Sequence, residues 1–184
     1  KTPLSVLAAE AQGEGRDWRR TLHEQGARMR ASIDRYLAAG LAVDHRQSSE
    51  VAPAAEALCR LMTRVHGGRR IRFQMDVPRG IAFAGAVTDL EEMLGNLLDN
   101  AGKWAQSEVR LRALAQNDRL HIEVRDDGPG LDKAKLESVL QRGVRLDERV
   151  EGSGLGLAIA AEIAASHGGS LRLSNENPGL RARL

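Results

Sequence analysis

The segment EEMLGNLLDNAGKW, residues 91–104, constrains the fold most, because as a helix it would have two very different faces. Its Leu, Met and Ala residues recur at helical spacing and predict a face buried in a core. Four polar residues at i, i+4, i+8 and i+11 would form one column within about 80° of arc. They are Glu92, Asn96, Asn100 and Lys103. A polar column beside apolar packing residues favours a ligand-binding face, because burying unpartnered polar groups costs free energy.

Composition bounds the class of protein. The 184 residues can form one ordinary domain, or a compact domain with a small helical module. Lys and Arg (27) nearly balance Asp and Glu (25), which argues against a nucleic-acid partner. The single cysteine, Cys59, excludes an internal disulfide and a cysteine-based zinc cluster, and we predict that it is a core residue. No long apolar run or signal peptide is visible, so we expect a soluble fragment from a reducing compartment.

The first quarter of the chain predicts a helical hairpin. A helix tail ends at the turn GEG, residues 13–15, and a longer helix follows from about Asp17 to Val43. Its apolar positions have the spacing of a bundle seam: Trp18, Leu22, Met29, Ile33, Leu37 and Leu41. A lone hairpin cannot bury this seam, so we expect a second copy to complete a dimeric four-helix bundle. The polar run DHRQSSE then separates two predicted domains, residues 1–46 and 49–184.

Residues 49–184 predict an α+β fold. A helix opens near Pro53, the strands IRFQMDV and IAFAG follow, and the two-faced helix comes next. The strands EVRLRALA and LHIEVRDD precede the helix GLAIAAEIAASHG, and two more strands are predicted near residues 170–174 and 180–184. Helices and largely antiparallel strands in this order indicate a two-layer α/β sandwich.

Two glycine-rich segments complete the candidate site. DDGPG follows a strand, so Asp126 is expected at the strand end, and Gly128 and Gly130 would let a ligand approach the backbone. GSGLGLAIA, residues 152–160, precedes a helix whose N–H groups and dipole favour an anion. Each segment alone could be an ordinary turn or tight loop. Together with the amides, which suit Mg²⁺, and with Lys103, which suits phosphate, they favour a purine nucleoside triphosphate with Mg²⁺.

The three segments, in this order, resemble the N box and the two glycine boxes of the GHKL ATPase superfamily. They are most similar to the catalytic domain of sensor histidine kinases, which implies the Bergerat ATP-binding fold. KTPLSVL, residues 1–7, resembles the end of the phosphoacceptor helix in that family. QRGVRLDERVEGSGLGLAIA resembles the ATP lid of PhoQ-type magnesium-sensing kinases.

The resemblance implies a role for each matching residue. Asn96 and Asn100 match the residues that bind nucleotide and Mg²⁺, and Lys103 matches the phosphate-contacting lysine. Trp104 matches an aromatic residue along the nucleotide, and Asp126 the carboxylate that recognises the adenine amino group. Other positions matched to ATP contacts are Gly128, Gly130, Arg145, Arg149 (with a one-residue offset), Gly152, Ser153, Gly154, Leu155, Gly156 and Leu157.

Several positions concern the reaction itself. Thr2 matches the residue that positions water when a response regulator is dephosphorylated, and Glu92 matches the general base of ATP-hydrolysing relatives. The phosphoacceptor histidine would fall three positions before Lys1, outside this chain. The phenylalanine of the usual F box is absent, with Leu140 the nearest candidate.

The expected protein is therefore the cytoplasmic core of a sensor histidine kinase. It would use ATP and Mg²⁺, form a homodimer through the hairpin, and pass phosphate to the receiver domain of a response regulator. The full-length protein would be anchored in the bacterial inner membrane. Two alternatives remain open: a GHKL ATPase that uses Glu92 to activate water, and a degenerate kinase that serves as a dimeric docking module.

Overall fold

The structure, a computed structural model, describes residues 47–136, 138–140 and 154–184. These residues form three α-helices and seven β-strands in a β-α-β-β-α-β-β-α-β-β order. The helices are α1 (Val51–Val65), α2 (Val87–Trp104) and α3 (Gly156–Ser166). The strands are β1 (Ser49–Glu50), β2 (Arg72–Asp76), β3 (Ala82–Phe83), β4 (Glu108–Gln116), β5 (Arg119–Asp126), β6 (Arg172–Asn175) and β7 (Leu180–Arg183).

Five of the strands form the main sheet, in the order β2-β4-β5-β7-β6. Strand β2 runs parallel to β4, and the other neighbours are antiparallel, as the predicted sandwich requires. The β4–β5 hairpin turns at Asn117 and Asp118, whose φ angles of 51° and 56° suit a tight turn with right-handed twist.

The predicted strand IAFAG is shorter than expected and does not join the main sheet. Its two paired residues, Ala82 and Phe83, lie opposite β1 instead. Residues on either side of this pair bond to the segment that leads into α1. Val51 N donates to Ile81 O (2.9 Å), and Ser49 Oγ donates to Gly85 O (2.8 Å). This segment therefore closes a two-stranded ribbon at the start of α1.

The helices cover one face of the main sheet. In β4, Val109, Leu111 and Ala113 are buried, while Arg110 and Arg112 between them are exposed. The buried strand residues pack with the apolar side of α2, whose six residues predicted to be buried are all in the core: Leu90, Met93, Leu94, Leu97, Leu98 and Ala101. Each fully buried leucine stabilises such a core by about 1.5–3 kcal/mol. The two-layer α/β sandwich is confirmed.

Three further predictions concern Cys59, Leu140 and the helical hairpin. Cys59 is 8% exposed in α1, as expected for a core residue, and burial raises the pKa of its thiol. Leu140 packs, partly buried, against the core. The predicted hairpin, residues 1–46, lies outside the described residues, so the bundle and the domain boundary remain predictions.

Candidate functional site

Asp126 ends β5 on the face of the sheet that carries the helices, and it is only 4% exposed. Its Oδ1 accepts hydrogen bonds from Gly128 N (2.8 Å) and Leu180 N (3.3 Å). Burial raises the pKa of this carboxyl group, and the two backbone N–H groups partly oppose that rise. Within the described ranges, Oδ2 has no hydrogen-bond partner. The carboxylate is thus held by one oxygen and can accept from a ligand with the other.

The first glycine turn passes close to the end of α2. A Cβ on Gly128 would overlap the carbonyl oxygen of Trp104 and lie 2.8 Å from Asp126 Oδ1. Only glycine therefore allows the turn and Trp104 to lie side by side. The next residues are held by Asn175, whose Oδ1 accepts from Leu131 N (2.8 Å) and whose Nδ2 donates to Leu131 O (2.6 Å).

The start of α3 meets the polar column of α2. A Cβ on Gly156 would lie 2.9 Å from Asn96 Oδ1. Asn96 Nδ2 donates to Glu92 O (2.8 Å), which fixes the side chain along the helix. Asn100, one turn further on and half-buried, makes no side-chain hydrogen bond with any residue that the structure describes. The Asn96 amide therefore lies beside the second glycine motif, and the Asn100 amide, one turn along the same helix, has no partner among the described residues.

Lys103 has a partner that the sequence analysis missed. Its Nζ lies 2.6 Å from Asp99 Oδ2, and both side chains are about one-third exposed (28% and 35%). On the other side, His66 Nε2 lies 3.3 Å from Asp99 Oδ1. An ammonium group has three donors, so Lys103 can keep this ion pair and still donate to phosphate. Asp99 is on the predicted helix, but its contact with His66 joins residues far apart in the chain.

The remaining predicted residues fall into two groups. Leu157 is buried and anchors the first turn of α3 in the core, beside the half-buried Gly154 and Leu155. Five predicted positions lie outside the described residues: Thr2, Arg145, Arg149, Gly152 and Ser153. Across the described ranges, no three His, Cys, Asp or Glu residues are grouped to hold a metal ion. The amide oxygens of Asn96 and Asn100 are the candidate Mg²⁺ ligands on this face.

Two other charged residues hold the end of α2 and were not predicted from the sequence. The guanidinium of Arg69 donates to carbonyl groups at the end of the helix, and Asp127 accepts from the backbone that follows it. Asp127 lies in the DDGPG segment, so the sequence motif already indicated that this residue is near the site. No sequence signal indicates Arg69, which lies 33 to 36 positions from its partners.

Comparison with known proteins agrees with this geometry. Residues 85–184 match the family of histidine kinase-, DNA gyrase B- and HSP90-like ATPases. The chain belongs to this family. The match covers more than half of the chain and includes α2, both glycine segments and the closing strands.

Among characterised relatives, the chain is 38% identical to the sensor protein kinase CarS of Pseudomonas aeruginosa, over 97% of this chain and 42% of CarS. It is 32% identical to the sensor protein PhoQ of Escherichia coli, over 93% of this chain and 37% of PhoQ. The chain thus spans about two-fifths of the length of these relatives. The similarity confirms the resemblance to PhoQ-type sensor histidine kinases.

Solved structures have the same fold. The mycobacterial sensor histidine kinase MprB superposes with a TM-score of 0.66 at 27% identity, covering 74% of this chain and 93% of that one. The histidine kinase AdeS of Acinetobacter baumannii, at 15% identity and a TM-score of 0.67, supports the fold alone. No helix within the described residues is long and apolar enough to cross a membrane.

Proposed function

We propose that this chain binds Mg·ATP between α2, the first glycine turn and the start of α3, as the catalytic part of a sensor histidine kinase. The observation that carries the proposal is the environment of Asp126. Its Oδ1 is occupied by two backbone N–H groups, whereas Oδ2 of the same carboxylate has no hydrogen-bond partner in the described part of the chain. An acceptor-only group in that position suits the amino group of adenine and repels the carbonyl oxygen of guanine.

The phosphate end of the nucleotide would lie along the polar column of α2. Asn96 and Asn100 would hold Mg²⁺ through their amide oxygens, and Lys103 would donate to a phosphate oxygen. When bound, Mg²⁺ would neutralise phosphate charge. The start of α3 offers backbone N–H groups and the positive end of a helix dipole beside Asn96.

We propose the following reaction for the whole protein. The γ-phosphoryl group would leave the β-phosphate oxygen as the P–O bond breaks, and a P–N bond would form to a histidine imidazole, releasing ADP. A response-regulator aspartate would then take the phosphoryl group. Such transfers depend mainly on positioning and charge neutralisation, which this chain's buried carboxylate, amides and lysine can supply.

In this proposal the acceptor histidine and the partner contacts lie in a longer protein, since the chain spans about two-fifths of the length of CarS and PhoQ. We expect the histidine three positions before Lys1, on a hairpin whose residues 1–46 pair with a second copy. Thr2 would position water for dephosphorylating the response regulator. The full-length protein would be a membrane-anchored sensor, with this chain on its cytoplasmic side.

A second enzyme class uses the same nucleotide site. Glu92 is half-buried in the polar column, one turn before Asn96, whose Nδ2 donates to the Glu92 backbone carbonyl, and we infer that its carboxylate would lie near the phosphate. A GHKL ATPase would use that carboxylate to activate water. Steady release of phosphate from ATP without any acceptor, abolished by Glu92→Gln, would favour this class. Failure to bind any nucleotide would favour a docking module.

Asp126→Asn gives the sharpest test of the adenine site. The two backbone donors would keep the amide oxygen at Oδ1 and direct the amide nitrogen to Oδ2, so the acceptor becomes a donor. We expect Mg·ATP binding to weaken by about 1–3 kcal/mol. The ratio of the affinity for Mg·GTP or Mg·ITP to the affinity for Mg·ATP should rise. Asp132→Asn, at an exposed turn, is the matched control.

Calorimetric titration with non-hydrolysable analogues measures these affinities. Asn100→Ala should weaken chiefly the Mg²⁺-dependent part of binding, since its half-buried amide serves no described internal contact. Undiminished ATP affinity in Asp126→Asn, with unchanged base preference, would contradict the assignment of the site.

A further inference from the structure

The end of α2 and the loop after it are held by two opposite charges. On one side, Arg69 Nη1 donates to the carbonyl groups of Gly102 (2.8 Å) and Lys103, and Nη2 donates to Ala105 O (2.8 Å). These carbonyl groups have no partners within the helix, and a cation at a helix C-terminus also interacts favourably with the dipole. Arg69 therefore fixes where α2 stops.

On the other side, Asp127 satisfies the donors of the loop that leads into β4. Its Oδ1 accepts from the backbone N–H groups of Gln106 (2.8 Å), Ser107 (3.0 Å) and Glu108 (3.1 Å). Its Oδ2 accepts from Ser107 Oγ (2.6 Å) and Ser107 N (3.0 Å). Partial burial raises the pKa of this carboxyl group, but the hydrogen bonds from Ser107, Glu108 and Gln106 outweigh it and lower the pKa to about 2.

These contacts leave Asp127 little capacity to bind a ligand itself. A carboxylate has about four lone-pair sites, and the loop already supplies five donor contacts. The sheet does not depend on them, because the β4–β5 ladder runs from Val109 opposite Asp126 to the far turn. Loss of the Asp127 carboxylate should therefore loosen the loop on this side while leaving the ladder and the core in place. The bonds from Arg69 to Ala105 O and from Arg72 N to Ser107 O (2.9 Å) would remain.

The loop and the first glycine turn meet at Trp104. Its carbonyl oxygen lies so close to Gly128 that a Cβ there would overlap it. Asp126 precedes this turn, and Asp127 is the residue between Asp126 and Gly128. Asp127 therefore links the two elements directly, because its side chain binds the loop after Trp104 and its backbone forms the turn after Asp126.

We propose that Asp127 is a positioning residue of the adenine subsite. It holds the α2–β4 loop against the first glycine turn and so fixes Trp104 relative to Asp126 Oδ2. The inference rests on the proposed binding of Mg·ATP. In this role Asp127 controls the distance between the groups that bind the base, and it does not act on Asn96, Asn100 and Lys103 at the phosphate end. Misplacing binding groups by about 1 Å can cost up to about a hundredfold in activity.

Three variants test this role in the full chain, all in a Trp18→Phe background so that Trp104 is the only tryptophan. Asp127→Ala removes every hydrogen bond that the Asp127 side chain accepts from the loop. Asp127→Asn keeps one acceptor oxygen for the three N–H groups, and Ser107→Ala removes only the hydroxyl bond. Asp76→Ala, which breaks an exposed ion pair with Arg112, is the matched control. The ligands are Mg·ATP, adenosine and magnesium tripolyphosphate.

We expect Asp127→Ala to weaken Mg·ATP and adenosine binding about tenfold, while tripolyphosphate binding changes less than about twofold. Asp127→Asn should recover part of the loss, and the control should bind all three ligands like the parent. The change in Trp104 fluorescence on adding adenosine should shrink in the same order. A purely structural role would lower the melting temperature without separating the base-binding from the phosphate-binding ligands.

Two results would overturn the positioning role: adenosine binding unchanged in folded Asp127→Ala, or adenosine and tripolyphosphate weakened equally. If circular dichroism shows that Asp127→Ala does not fold, Asp127→Asn and Ser107→Ala are compared with the parent instead. The same two results, for adenosine and tripolyphosphate binding, then decide. If the parent chain itself fails to bind Mg·ATP, the proposed function fails, and the adenine role of Asp127 fails with it.

Discussion

Replacing Gly156 with alanine would insert one methyl group between the start of α3 and the amide of Asn96. The new Cβ would lie 2.9 Å from Asn96 Oδ1, 3.5 Å from its Cγ and 3.6 Å from its Cβ. The first of these distances is shorter than a normal contact, while the others are tolerable. Because Oδ1 is the end of a rotatable side chain, we expect Asn96 to turn away while the two helices stay in place.

The cost to folding should be small. Turning Asn96 breaks its hydrogen bond to Glu92 O, which is 2.8 Å long, and a typical bond of this kind contributes about 0.5–1.5 kcal/mol. Alanine in place of glycine favours the helix by up to about 1 kcal/mol. These terms oppose each other, so the free energy of unfolding should change by less than about 1 kcal/mol.

The cost to binding should be larger, because the displaced amide is a candidate Mg²⁺ ligand. Loss of one hydrogen bond or coordination contact to a charged partner costs about 1.5–3 kcal/mol, or roughly a tenfold to hundredfold change in affinity. Gly156→Ala should therefore separate stability from Mg·ATP binding. Urea unfolding measures the first quantity, and calorimetric titration with and without Mg²⁺ measures the second.

Gly68→Ala is the matched control, since a Cβ on Gly68 meets no atom within 4 Å. A double variant sharpens the test: once Asn96 is replaced by alanine, Gly156→Ala should cost little further affinity, because the clash no longer exists. The reasoning is refuted if folded Gly156→Ala binds Mg·ATP like the parent chain. It is equally refuted if the two losses simply add.

Two further predictions concern stability and assembly. Hydrogen bonds from the loop lower the pKa of Asp127 from its ordinary value of 3.8 to about 2. The unfolded chain therefore binds more protons between these pH values, and this contribution to stability is lost as the pH falls through that window. In Asp127→Asn, the loss of unfolding free energy at acid pH, measured by urea unfolding at several pH values, should be smaller by about 1–2 kcal/mol, allowing for partial exposure. An unchanged pH dependence of the unfolding free energy would contradict this prediction. The chain should also form a dimer, stable or weak, through Leu22, Met29, Ile33 and Leu37; sedimentation that shows a strict monomer at high concentration, even with upstream residues restored, would contradict the bundle.

The sequence predicted features whose cause is local. The two faces of α2 follow from the 3.6-residue period, so the buried positions and the polar column were both foreseen. Asp126 was expected at a strand end, because its alternating strand runs directly into the DDGPG segment. Its burial and its second donor, Leu180 N, depend on strand β7, which lies 54 residues further along the chain.

What the sequence missed depends on tertiary register. Arg69 reaches the end of α2 because β2, which follows it, lies parallel to β4, and residue spacing does not encode that pairing. Asn175 holds Leu131 across 44 positions. The IAFAG segment has strand-like residues, but hydrogen bonds to the residues entering α1 decided its pairing.

The two ends of the candidate site are anchored to different layers of the sandwich. Helix α3 contacts α2 at both of its ends. Gly156, at its start, packs against the side chain of Asn96, and His167 Nε2, just after its end, lies 2.9 Å from Asp89 Oδ2. Asp89 is in the first turn of α2 and His167 follows the last turn of α3, so each lies where a helix dipole favours its charge or polarity. The phosphate end therefore lies in the helical layer, whereas Asp126 lies in the sheet. A nucleotide bound at both ends would bridge the layers, and the loop held by Asp127 is where the two meet.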